Sequence, residues 1–305
     1  MAGTWSTGGS LATARDEAFG CGTQTAGLVA SGYDGGSVLT SSEEYDGSAY
    51  AAGGTVSTGR RRGNGGVCGT QTAGLIAAGA IAGDSSGYNT SEEYDGSAWA
   101  AGGTMSATRR ASGYCGTQTA ALNAGGFEGA GNLTSSDEYD GAAWAAGGSM
   151  ATARRVLTGA GTQTDALMVG GVSASTTVES YNGTSFSSET AITTARTDAG
   201  GFGSGQADIV ITTGDSTATT EQYNGTSWAS ETNITAERRA PASFGNATSG
   251  AIAGGRNTSD TRQTTTYEWD EPSTSIKTFN GNTYATTKTV NGTAIASVKT
   301  WNGVQ

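Results

Sequence analysis

The chain contains no histidine. That excludes hydrolases built on a histidine base and most zinc chemistry, because imidazole is the side chain that titrates near neutrality and a leading zinc ligand. Large aliphatic residues are scarce as well. Ile, Leu, Val and Phe make up 35 of 305 residues, a level at which composition alone suggests disorder. No apolar run approaches the roughly 18 to 20 residues of a membrane helix, so no membrane insertion is expected. Basic residues number 16 against 27 acidic ones, for a net charge of −11. A nucleic-acid partner is therefore not expected, since phosphate binding needs concentrated Lys and Arg. Met1 to Ser10 has neither the basic start nor the apolar run of a secretory signal, and synthesis in a cytoplasm is the expectation. The three cysteines, Cys21, Cys68 and Cys115, lie 47 residues apart, each before Gly-Thr-Gln-Thr, and Ala160 takes the same place in the next unit. They read as one repeat position, a small buried residue on an inner strand, rather than as a disulfide framework or a metal site. No cofactor is expected.

What the chain does have is a repeat. Tyr45, Tyr94, Tyr139, Tyr181, Tyr223 and Tyr267 recur at spacings of 49, 45, 42, 42 and 44. After the first five comes Asp-Gly or Asn-Gly, and an aromatic stands five positions beyond the tyrosine: Tyr50, Trp99, Trp144, Phe186 and Trp228. A disordered chain has no reason to keep such a period, and a repeat of this length with strand-like segments signals a propeller or an array. In the clearest unit, Arg109 to Gly147, four short segments alternate with turns. Gly116-Thr117-Gln118 marks a tight turn, Gly125-Gly126 ends the second segment, and Asp140-Gly141 predicts a two-residue hairpin turn with positive φ at both residues. Four antiparallel strands per period make a propeller blade.

Gly125-Gly126, Tyr139, Trp144 and Arg154 together resemble the kelch repeat. The set returns as Gly170-Gly171, Tyr181, Phe186 and Arg196, and as Gly214, Tyr223, Trp228 and Arg238. Unit one departs with Ser31-Gly32 and unit two with Ala78-Gly79, and the Tyr-to-aromatic spacing is about one residue tighter than the kelch pattern. The resemblance spans roughly residues 1–269 and implies an all-β, six-bladed propeller of four-stranded blades. Trp5 precedes Arg15 much as Trp144 precedes Arg154, yet no tyrosine stands before it. Conversely Tyr267 has no Asp-Gly-x-x-Trp after it. The N-terminal segment around Trp5 is thus expected to supply the outer strand of the last blade and close the ring.

Residues 270–305 read as a separate tail. Lys277, Lys288 and Lys299, the only lysines, are 11 residues apart, in Ile-Lys-Thr-Phe-Asn-Gly, Thr-Lys-Thr-Val-Asn-Gly and Val-Lys-Thr-Trp-Asn-Gly. Each Asn-Gly favours a two-residue turn, so a small β meander is expected. It is too short to fold alone, which leaves it to pack on the propeller, to pair with copies of itself or to dock on another protein. The segment resembles short Asn-Gly repeats in structural proteins of tailed, particularly marine, bacteriophages. That resemblance implies a place on the virion, with Lys277, Phe279, Lys288, Lys299 and Trp301 as the anchor.

The acidic pairs Glu43-Glu44, Glu92-Glu93 and Asp137-Glu138 have the residue type of a glycosidase, but they recur at one repeat position, and repeat-borne residues serve the repeat. Asp140-Gly141-Ala142-Ala143-Trp144 resembles the Asp box of sialidases with one residue missing, and that box is itself a structural turn. In Arg60 to Arg62, Arg109-Arg110, Arg154-Arg155 and Arg238-Arg239, the first arginine is expected to pair with third-strand acids or backbone carbonyls. The second is expected to line one face of the disc, where a carboxylate could be clamped. Tyr33, Tyr88 and Phe127 fall between second and third strands, one per early blade, and are expected as exposed host-contact residues that stack on a glycan. The leading expectation is a non-enzymatic virion protein, a tail fibre or appendage component that meets a host surface glycan or receptor and other virion proteins. Capsid or neck decoration is the alternative, and a glycan-cleaving propeller comes last.

Overall fold

The architecture is that of a computed structural model, which describes residues 2–63, 68–81, 83, 86–129, 131–172, 176–215 and 217–272, and the backbone of 274–279 and 282–287. Six four-stranded antiparallel sheets form the blades of a propeller, and no α-helix occurs among the described residues. In the third blade, Gly113–Thr117, Ala120–Ala124, Ser136–Tyr139 and Trp144–Ala146 pair in chain order. The second strand is buried over its last four residues, while the outermost one exposes two of three. The core is therefore inward and flat. Its Ala and Gly let neighbouring sheets approach closely, which is how so few large aliphatics suffice.

The first strands of all six blades, among them Phe19–Thr23 and Ala242–Asn246, ring a narrow central channel of about 100 Å³. Each turns into the second strand through a glycine; Gly116 has φ 107°, and a Cβ there would lie 2.2 Å from the Ala120 carbonyl oxygen. Cys21, Cys68 and Cys115 lie on these strands, buried and free. The Cys68 thiol donates to the Cys115 carbonyl 2.8 Å away, and burial pushes all three thiols well above their ordinary range. They are packing residues, as their repeat position implied.

Closure follows the expectation. Thr4–Ser10 pairs antiparallel with Thr265–Asp270 as the outer strand of the sixth blade, with Trp5 opposite Trp269. That register corrects one reading. Gly27 faces Tyr45 in the first blade, and its counterpart Gly250 faces Trp269, not Tyr267. Trp269 thus fills the place of the repeated tyrosine, fully buried, and Tyr267 sits where the other blades carry an acid.

Two sets of contacts join the blades, and a third braces each blade. The repeated tyrosines reach back one blade: Tyr94, Tyr139, Tyr181 and Tyr45 donate to Glu44, Glu93, Glu138 and Glu268 at 2.6, 2.6, 2.8 and 2.7 Å. Each hydroxyl also accepts a glycine N–H, as Tyr139 does from Gly103. Burial, reinforced by the Glu93 hydrogen bond, pushes the Tyr139 phenol up to about 12. The glutamines of the Gly-Thr-Gln-Thr turns do the same with carbonyls. Gln118 donates to Gly74 and Tyr94, Gln163 to Ala121 and Tyr139, and Gln24 to Gly250 and Trp269 across the closure.

The third set is within blades. Arg15, Arg60, Arg154 and Arg196 are buried and bonded to Glu43, Glu92, Glu179 and Glu221 at 2.6, 2.9, 3.0 and 2.5 Å, and Arg109 pairs likewise with Asp137. Each also donates to backbone carbonyls, as Arg154 does to Gly170 and Thr177. These fixed charges staple the linker between blades to the loop between second and third strands. The acidic pairs are accounted for residue by residue: the first acid holds the arginine, and the second accepts a tyrosine of the next blade.

Two details differ from expectation. The Asp140-Gly141 connection is a four-residue turn in which only Gly141 has positive φ (91°); Asp140 Oδ1 accepts the N–H groups of Ala142 and Ala143 at 2.9 and 2.8 Å. A side-chain-capped turn of this kind tolerates Asn equally, hence Asn182 and Asn224. At the glycine doublets, the departures keep the geometry: Ser31, Ala78 and Thr213 hold φ of 58°, 54° and 60° where Gly125 holds 65°.

In the tail, Thr274–Phe279 pairs antiparallel with Asn282–Thr287, with Phe279 opposite Asn282 and Lys277 opposite Tyr284. This is the strand pair expected around the first Asn-Gly. Lys288, Lys299 and Trp301 lie outside the described residues.

Candidate functional site

Alternation of strand direction divides the connections between two faces. Turns joining strands one to two and three to four share one face, and they are nearly the same in every blade. Loops joining strands two to three, and the linkers between blades, share the other. All thirteen arginines belong to this second set of segments. The opposite face carries the exposed Asp46, Asp95 and Asp140, whose carboxyls are held below the usual range by backbone N–H groups of their own turns. Divergence between otherwise like blades is greatest on the loop face, and that is where a singular function has room.

The residue after the linker arginine pairs by backbone with the following loop: Asp16 with Tyr33, Arg61 with Ala80, Arg110 with Phe127, Arg155 with Val172 and Arg239 with Arg256. Asp215 donates its N–H to the Thr197 carbonyl to complete the circle. The expectation that second arginines line one face therefore holds for Arg61, Arg110, Arg155 and Arg239.

One residue further on lies a ring of strained backbone. Glu17, Arg62, Ala111, Val156, Asp198 and Ala240 have φ of 55°, 66°, 55°, 59°, 53° and 51°, a conformation that costs L-residues with a Cβ. Their amides chain the blades together: Ala240 N–H donates to Asp198 at 2.7 Å, Val156 N–H to Ala111 at 2.7 Å, and Glu17 N–H to Ala240 at 2.9 Å. This necklace tightens the loop-face mouth of the channel.

Above it is a depression of about 390 Å³, lined by Arg62, Arg110, Arg155, Arg239 and Arg256, by Asp198 and Asp215, and by the apolar Phe127, Val156 and Val172. Several of these charges are already matched. Arg62 lies 3.3 Å from Glu17, and Arg239 bonds Asp215 and Asp260 at 2.9 and 2.7 Å. Arg155 differs: its hydrogen-bond acceptor is the neutral amide of Asn132, 3.1 Å away. Asp198 differs in the opposite sense. It is 7% exposed, and its Oδ1 has no hydrogen-bond partner. Burial, helped by Glu17, pushes its carboxyl up to about 6 against the pull of Arg62 and Arg256.

The three aromatics are not open platforms. Tyr33, Tyr88 and Phe127 are half-buried. Arg61 and Arg262 lie 4.3 and 5.1 Å over Tyr33, Arg110 and Arg155 lie 4.6 and 4.8 Å over Phe127, and Arg60 lies 5.2 Å from Tyr88. Cation–π contact thus occupies the rings expected to stack on sugars. Tyr33 and Phe127 occupy equivalent places, whereas Tyr88 opens the third strand Tyr88–Tyr94 and Ala80, bridged to Arg61, is the true equivalent. The necklace and the glutamine bonds escaped the sequence reading. Recurrence of Gln at the period of the cysteines was the available signal for the latter, and a left-handed Val or Asp gives none.

No protein-family model and no curated protein matches the chain. Among solved structures, the one titled "Structure of YjhT" is 10% identical with a TM-score of 0.70, over 91% of this chain and 99% of that one. At that identity the likeness concerns the fold alone, a six-bladed propeller, and function rests on this chain's own residues.

Proposed function

We propose that this chain is a non-catalytic binding component of a tailed-bacteriophage particle, a kelch-like propeller that turns its loop face to a host surface and is held to the particle by its 11-residue repeats. The observation that carries the binding half is the polarity of the disc: every arginine belongs to the loop face, around a depression, in a chain of net charge −11. The acids of the repeat are committed to arginines and tyrosines, which favours recognition over hydrolysis. The virion half rests on the phage-like Asn-Gly tail.

Immuno-electron microscopy on particles that carry this gene tests the reading. Label at tail or fibre tips is the expected result. Label over the head or collar transfers the protein to decoration and removes its host-contact role; absence from purified particles ends the virion reading. Release of reducing ends from a capsular polysaccharide at high protein concentration would overturn the non-catalytic assignment.

A further inference from the structure

Two opposite charges line one cavity without meeting. Arg155 has a neutral amide as hydrogen-bond partner, and Asp198 makes no ion pair within reach. At five of the six repeat positions the chain closes such gaps: Arg15, Arg60, Arg109, Arg154 and Arg196 each hold a carboxylate, and Arg239 on the loop face holds two. A buried carboxyl oxygen left without a partner is destabilising, so its retention needs a reason.

We propose that the depression binds a carboxylate with hydroxyl groups on neighbouring carbons, the chemistry of one acidic sugar residue. Arg155 takes the ligand carboxylate in the fork geometry that guanidinium offers. Asp198, ionised at neutral pH, accepts a hydroxyl of the same ligand. A single simple anion such as phosphate or acetate satisfies the arginine and leaves the aspartate unanswered. Val156 and Val172 give the carbon skeleton an apolar wall. The volume of about 390 Å³ falls in the range of small-ligand pockets, roughly 300–1,000 Å³, and is too small for a long glycan segment. The assignment deepens the proposed role of the loop face by naming what that face recognises.

The test is isothermal titration of the full-length protein at pH 7.5 with glucuronate. Glucose supplies the hydroxyls without the carboxylate, acetate the carboxylate without the hydroxyls, and inorganic phosphate a bare anion. Glucuronate is expected to bind at least about tenfold more tightly than each control, one charge-assisted hydrogen bond's worth. Arg155→Ala should lose about tenfold or more for glucuronate, and Asp198→Asn should bring glucuronate down towards acetate. Arg155→Lys, which keeps the charge but not the fork, guards against a folding artefact, as does a melting transition in each variant no lower than that of the parent. Methyl glucuronide binding like the free acid assigns the ligand to a glycan end, whereas binding of the free acid alone assigns it to a soluble sugar acid. Absence of glucuronate binding, equal binding of acetate or phosphate, or variants that fold and bind unchanged would overturn the proposal. None of these results depends on where the chain sits on a particle, so failure here and failure of the virion reading are separable.

Discussion

Five blades and the sixth solve one problem differently. In blades one to five a buried arginine meets a buried carboxylate; in the sixth, Arg238 finds no acid and lies over the Tyr267 ring, 5.4 Å from its centre. Its side chain lacks the carboxylate that the others hold, and burial lowers its pKa as it does those of Arg15, Arg154 and Arg196. The sixth blade compensates by bulk. Trp269, Trp5 and Phe202 pack at 5.3 and 6.3 Å, and Trp269 donates its indole N–H to the Ala247 carbonyl at 2.8 Å, in the turn where other blades use glutamine. Polar stapling and aromatic packing are thus interchangeable means of holding a blade, and the closing blade, assembled from both chain ends, uses the second.

The comparison can be broken in graded steps. Removing residues 2–10 takes away Trp5 and the whole outer strand of the sixth blade. The expected outcome is loss of the cooperative melting transition and a shift to aggregated species in size-exclusion chromatography; a monomer with an unchanged transition would show that closure is dispensable. Next comes the staple itself. Arg154→Met strands Glu179 and should cost about 3–5 kcal/mol in urea unfolding, whereas Arg238→Met strands no acid and should cost about 1 kcal/mol or less. Equal losses would remove the distinction between the blades.

Asp198 is the carboxylate counterpart of Arg238, a buried charge without a partner, and pH sharpens that parallel. Its pKa is raised from 3.8 to about 6 on folding. The stability it contributes is therefore complete below about pH 4 and lost as pH rises through 6. Asp198→Asn should leave melting unchanged at pH 4 and raise it at pH 7.5, by up to about 3 kcal/mol for a shift of this size. A variant less stable than the parent at pH 7.5 would show that an unseen interaction holds the carboxylate. The smallest effect belongs to the inter-blade tyrosines. Tyr139→Phe leaves Glu93 and the Gly103 N–H without their shared hydroxyl and should cost about 1–2 kcal/mol, read by the same urea titration.

The regular part of this molecule was legible in the chain because a single geometry repeats. A four-residue turn fixes Tyr139 opposite Trp144, so a five-residue spacing in the sequence is a ring pair in space, 4.9 Å apart. The arginine staples were legible for the same reason, acid and base recurring in step. The misreading of Tyr267 shows the limit. Residue identity suggested the sixth tyrosine, but place is set by pairing with Gly250, and the strand carries Trp269 there instead. The depression was least legible. Of its arginines, Arg110, Arg155 and Arg239 were expected to line the face, whereas Arg62 and Arg256 were not; Arg155 and Asp198 come from different linkers, and only the circle of blades brings them to one cavity.

Closure by Thr4–Ser10 also orders events in time. The strand leaves the ribosome ahead of every other strand of the propeller, and its partner, Thr265–Asp270, after all the others. Throughout synthesis, at roughly 5–20 residues per second, the opening segment has no sheet to join, and the growing arc of blades keeps two raw ends. Pairings this distant along the chain form slowly. The ring therefore snaps shut as a late, single event, and any crowding of the nascent chains of several copies before that moment invites one copy's first strand into another copy's last blade.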